Sequence, residues 1–315
     1  MLPRSTPGRF AICSALVLVA CRGKHREQEA AAVASGQPSL SVSSVSVAAA
    51  APGPRAVTPG ESPFNYPIVS TTAKAGDYVL APSKTFIDEA FARGGEKQTF
   101  IFYGGWMREP GNRESKVESL SRMKAMIPNS LIVPIRRSER VDPGDVVLTS
   151  WASGSGLQRA IVIEGGTPER PSVRYLDMDL ENPSGWGKKP DSLPPNTFHR
   201  LNNPGAVGTT LACTEGSRRL RFILIHSSGD APSDKLLVLG HAGLMRVATR
   251  SDCQALPLVP EVKRGDLAVL PVAGAFVEGK VIRVDPTIGR VRIEYRFAGA
   301  TNEEAVGFTN VAAKL

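Results

Sequence analysis

Four histidines, four cysteines and a short run of alternating carboxylates are the residues of this chain best suited to chemistry. Their spacing builds no familiar centre. His25, His199, His226 and His241 never stand four apart, so no helical zinc pair is expected. Gly274-Ala275-Phe276-Val277-Glu278-Gly279-Lys280-Val281 has the spacing of a phosphate loop. Val281, however, stands where Ser or Thr must hold magnesium, and a strand follows where a helix is required. Asp177, Asp179 and Glu181 could offer oxygens to calcium. Counted from Asp177, the loop would need Gly sixth and Glu twelfth, and the chain has Asn182 and Lys188. On a strand, alternate residues share a face, so these three predict a solvated acidic face. Ser153-Gly154-Ser155-Gly156 lacks the leading glycine of a nucleophile elbow. No cofactor, metal or catalytic residue is expected. Paired carboxylates for glycoside cleavage need no motif and stay open.

The start of the chain says where such a protein would work. Arg4 and Arg9 precede an apolar run from Phe10 to Ala20, too short to span a bilayer. The run ends in Leu18-Val19-Ala20-Cys21, which resembles the lipobox of bacterial lipoproteins. The resemblance implies a signal peptide over 1–20, acyl chains on Cys21 and stable attachment to a bacterial membrane, on the periplasmic side or at the cell surface. Residues 21–70 are rich in Ala, Ser, Val, Gly and Pro and predict a disordered tether.

Apolar content of 42% is near the globular norm, which excludes a wholly disordered or collagen-like chain. A net charge of +8 without a long Lys/Arg run argues no nucleic-acid partner for an exported protein.

The remainder repeats at intervals of about 60 residues. Gly76-Asp77-Tyr78-Val79-Leu80 recurs as Gly144-Asp145-Val146-Val147-Leu148 and as Gly265-Asp266-Leu267-Ala268-Val269-Leu270. Gly208-Thr209-Thr210-Leu211 is a weaker copy. Strand-like segments follow, such as Arg159–Ile163, Ser172–Leu176, Gly279–Val284 and Arg290–Tyr295. Val291, Ile293 and Tyr295 alternate as in a half-buried strand. A Pro-containing turn closes the unit at Met126–Leu131 and again at Leu193–Phe198.

This succession is similar to the Tudor and Src-homology-3-like small barrels. The resemblance implies a mainly β fold of tandem barrels, three clear and one divergent. The expected units are 71–138, 139–203, a divergent β module at 204–260, and 261–315. An insertion over roughly Arg108–Lys124 is expected to supply a short helix.

With Cys13 in the leader and Cys21 lipidated, Cys213 and Cys253 remain as an even pair in an oxidising compartment, and a disulfide is expected. In Tudor-like barrels, aromatics at strand and loop ends can form a binding cage. Trp106 and Trp186 follow glycines in expected loops and are the first ligand-binding candidates, with Tyr103, Trp151 and Tyr175 beside them. Two functional classes follow. One is a non-catalytic envelope lipoprotein that binds or scaffolds peptidoglycan, peptide or an envelope protein. The alternative is a divergent cell-wall hydrolase around Cys213, His226 and His241.

Overall fold

A glycine in the left-handed region opens each of four strand sets: Gly76 (φ 82°), Gly144 (97°), Gly208 (91°) and Gly265 (93°). A side chain would strain this turn, which explains why glycine stands at all four places. The computed structural model describes residues 66–92, 99–151, 156–179, 189–228 and 234–315. Cys21, the leader, most of the tether and Trp186 lie outside the described residues.

The turn has one hydrogen-bond pattern in all four repeats. Each glycine amide donates to a second-strand carbonyl: Gly76 to Met107 (2.7 Å), Gly144 to Val162 (2.9 Å), Gly208 to Leu224 (2.7 Å) and Gly265 to Val281 (2.8 Å). The amides of Met107, Val162, Leu224 and Val281 return a bond to the residue after the glycine. Asp77, Asp145 and Asp266 each accept, through Oδ2, the backbone N–H three residues earlier (2.6, 2.9 and 3.0 Å). In the third repeat Thr209 Oγ1 accepts from Gly205 N–H at 3.1 Å and does the same work. The repeat weakest in sequence is therefore regular in geometry at its turn.

The chain is mainly β. In repeat one, β1 (Tyr78–Pro82), β2 (Phe102–Glu109), β3 (Glu114–Ser119), β4 (Lys124–Pro128) and β5 (Val133–Pro134) lie in the order β4-β3-β2-β1-β5. Repeat two arranges β6 (Val146–Ser150), β7 (Leu157–Thr167), β8 (Arg170–Tyr175), β9 (Asp191–Ser192) and β10 (Phe198–Arg200) as β10-β6-β7-β8-β9. Repeat three has β11 (Thr210–Glu215), β12 (Arg218–Ser227), β13 (Lys235–Leu239), β14 (Met245–Thr249) and β15 (Cys253–Ala255), with β11 again between the second and fifth strands. Repeat four has β16 (Leu267–Val272), β17 (Ala275–Asp285), β18 (Arg290–Phe297) and β19 (Ala300–Gly307), and a Val269–Ala312 bridge takes the fifth place. A pairing of Leu220 with Ala275 joins β12 to β17, so repeats three and four share one nine-stranded sheet.

Two cores explain why several strands read as unbroken apolar runs. Val147 packs in repeat two's own core with Val162, Val173, Tyr175 and Phe198. Its neighbours Val146 and Leu148 point the other way, into a larger core shared with Leu80, Met107, Ile223, Leu237, Leu270 and Ile293. All four repeats contribute to that shared core. Strand alternation thus divides one run between two buried faces.

Four expectations need correction. The helix, α1, spans Lys84–Ala92, between β1 and β2, and Arg108–Lys124 instead carries β3, whose Ser115 and Val117 are buried in alternation. The folded body already includes residues 66–70, since Tyr66 is 3% exposed. Trp106 lies within β2 rather than in a loop. Its preceding glycines are strand residues because a Cβ on Gly104 would lie 1.8 Å from Tyr78 Oη, and one on Gly105 2.6 Å from Glu118 O. Finally, Asp177 is not on a solvated face.

Candidate functional site

Repeat one carries an open groove of about 590 Å³ lined by Gly76, Trp106, Arg108, Glu118, Leu120 and Arg122. Strand register builds it. Trp106 on β2 stands opposite Tyr78 on β1 and Glu118 on β3, so the three share a face. The Tyr78 and Trp106 rings meet edge to face, centroids 5.8 Å apart and planes at 79°. Tyr78 is itself fixed by a 2.8 Å bond between its hydroxyl and Ser150 Oγ of repeat two. The indole therefore has a buried, oriented support while its own outer part is open.

A register shift between Met107 and Glu109 turns Arg108 toward the same face. Its Nε and Nη2 donate to both oxygens of Glu118, each at 3.1 Å. Lys124 Nζ lies 3.6 Å from the same carboxylate. Arg108 and Lys124 hold the Glu118 carboxyl below its usual range, so it is ionised at neutral pH. The β3–β4 turn closes through Arg122 N–H to Ser119 O and Ser119 N–H to Met123 O, both 2.9 Å. It leaves Leu120 44% and Met123 72% exposed.

The other aromatic candidates do not join this groove. Tyr103 is half-buried and three residues from Trp106, hence on the opposite face of β2. Tyr175 is 1% exposed and belongs to the core of repeat two, so it offers no ligand surface. Trp151 packs half-buried against that same core.

A second polar cluster lies inside the molecule, where repeats two, three and four meet. Asp177 follows β8. Its Oδ2 accepts from Arg159 N–H (2.8 Å) and Arg159 Nε (2.9 Å). Its Oδ1 accepts from Arg159 Nη2, from Arg221 Nη2 at 3.1 Å and from Asn310 Nδ2 at 3.3 Å. Asn310 Oδ1 in turn accepts from Arg159 Nη2 (3.0 Å) and Arg221 Nε (2.9 Å). Burial alone would raise the Asp177 carboxyl, but Arg159 and Arg221 overcome it and hold the group well below the carboxylate range. Burial and neighbouring Arg159 push Arg221 down to about 10. Nearby, Arg290 donates to Tyr175 O (2.5 Å) and Met178 O (2.7 Å). Arg159 and Arg221 occupy one repeat position, opposite the fourth residue after the opening glycine, Leu148 and Ala212 respectively. Sequence reading missed both arginines, although this equivalence was the available signal.

Cys213 and Cys253 are bonded directly across the β11–β15 ladder, so Cys213 is no free thiol here. His226 lies six residues beyond Leu220, the partner of Cys213 across β11–β12, roughly 20 Å along the strand. Its Nδ1 lies 3.0 Å from Tyr66 Oη, and burial lowers its pKa while pushing Tyr66 up to about 12. His241 lies in the exposed turn before β14. His199 Nδ1 lies 3.0 Å from Glu139 Oε1. Among the described residues, no cluster of three His, Cys, Asp or Glu could hold a metal ion, and no helix is long and apolar enough to cross a membrane. No protein-family model matches the chain, and no characterised protein matches it in sequence.

Proposed function

We propose that this chain is a bacterial envelope lipoprotein, held to a membrane by lipid on Cys21, whose β body is a non-catalytic binding or scaffold module. Its ligand is peptidoglycan or a peptide of the envelope, taken at the groove of Trp106. The observation that carries the reading is that groove: an indole braced from behind by Tyr78 and lining an open cleft with Arg108, Glu118 and Leu120. The anchor rests on the lipobox resemblance of Leu18-Val19-Ala20-Cys21. The strand order that places the first strand between second and fifth, in every repeat, supports the small-barrel resemblance. A shared core would hold the repeats as one platform rather than as beads, so the groove would be presented at a fixed place.

Co-sedimentation of the full chain with purified peptidoglycan sacculi, at low and high salt, tests this. Pelleting that resists salt and weakens about tenfold in Trp106→Ala supports the reading, a loss on the scale of an aromatic hot spot. Equal pelleting by wild type and variant would remove the groove from the account.

A further inference from the structure

The groove's unspent charge points to its ligand. We propose that it binds a peptide carboxylate, with the carboxylate on Arg122 and the adjoining apolar part of the peptide on Trp106 and Leu120. The inference rests on the reading of this groove as the binding site and names what enters it.

The charges around the groove are not equivalent. Arg108 is committed to Glu118 by two parallel bonds, and Lys124 leans on the same carboxylate. Arg122 is different. Its backbone N–H closes the turn, and among the described residues its guanidinium has no hydrogen bond or ion pair. It is held at the rim by its place in the turn, at φ 63°. A guanidinium so placed is a fork of donors without an acceptor, which matches a carboxylate in shape and sign.

Glu118 forms one wall of the groove, and its charge is answered by Arg108 and Lys124. Arg122 therefore leaves the rim with a positive charge over, which suits an anionic group. The apolar demand is equally local. Trp106 offers a large oriented ring, and Leu120, 44% exposed, continues the apolar surface to the rim. A ligand of carboxylate alone would leave both uncovered, and a neutral sugar would offer Arg122 oxygen acceptors but no counter-charge. A short peptide with a carboxylate beside an aliphatic side chain covers all three.

The test is calorimetric titration of the full chain with three probes. They are a muropeptide with a tripeptide stem, the same compound with its carboxyl groups amidated, and the peptide-free disaccharide with its lactyl carboxyl amidated. The proposal expects the acid form to bind about tenfold or more tighter than the amide. It expects Arg122→Asn to erase that difference and Arg122→Lys to restore part of it. Asparagine tolerates the left-handed backbone, so the first variant removes charge without straining the turn. Equal affinity for acid and amide would overturn the carboxylate assignment. Equal affinity for the disaccharide would assign the groove to the sugar instead. If no probe binds, the proposal falls, and sedimentation of Trp106→Ala decides separately whether the groove reading falls with it.

Discussion

Two arginine clusters sit in this molecule in opposite circumstances. At the junction of repeats two, three and four, Arg159 is 0% exposed and Asp177 accepts five donors. At the groove of repeat one, Arg108 and Glu118 pair near water, and Arg122 has no acceptor among the described residues. In the first cluster two guanidinium groups share one carboxylate, and removing that carboxylate would strand both in the interior. The second gives up little stability when altered, because solvent can replace any lost partner. The interior cluster holds the repeats together, and the groove leaves one guanidinium for a ligand.

The largest break in this comparison should come from Asp177→Asn. Two buried guanidinium groups would lose their counter-charge, and unfolding by denaturant should show a loss of about 3–5 kcal/mol. Acid should give the same answer by another route. Asp177 is held below its ordinary value in the fold, so as pH falls the unfolded chain takes up the proton first. Its contribution is full above about pH 4 and is lost on further acidification. Wild-type stability should therefore fall more steeply than that of Asp177→Asn between about pH 4 and pH 2.

Gly307→Ala probes the same junction through backbone packing, since its Cβ would lie 2.2 Å from Leu176 O of repeat two. Repeats two and four would have to part slightly, at a cost of about 1–3 kcal/mol in the same unfolding assay. The smallest effect belongs to the groove. Arg122→Asn should leave stability within about 0.5 kcal/mol of wild type while changing ligand affinity. A large loss there would mean that Arg122 supports the fold and would blur the contrast.

The recurring turn was legible in the sequence because its requirement is local. Only glycine sits easily at the positive φ, and an Asp side chain reaches back three residues to cap the turn. Thr209 concealed the third copy because a different residue type closes the turn there, through the N–H four residues earlier rather than three. The junction was not legible. Alternation along a strand suggested an outward Asp177, but β8 ends at Tyr175, so the two-residue period no longer applies there. Its partners Arg159 and Arg221 lie 18 and 44 residues away, a distance only the fold closes. The helix was misplaced because α1 buries only Ile87 and Ala90, too few positions for a clear helical period. Trp106 was expected in a loop, but it lies within β2 and is half-buried, as Tyr103 and Trp151 are. Glycines 104 and 105 make room for Tyr78 and Glu118 within a sheet, and they do not mark a loop. The rest of the groove depends on cross-strand register, which no single segment encodes.

The most direct measurement is hydrogen exchange of the full chain with and without the tripeptide-stem muropeptide. The account predicts slowed exchange confined to β2, β3 and the turn after β3, with repeats two to four unchanged. Slowing centred on repeats two to four, with none at Trp106 or Arg122, would contradict it.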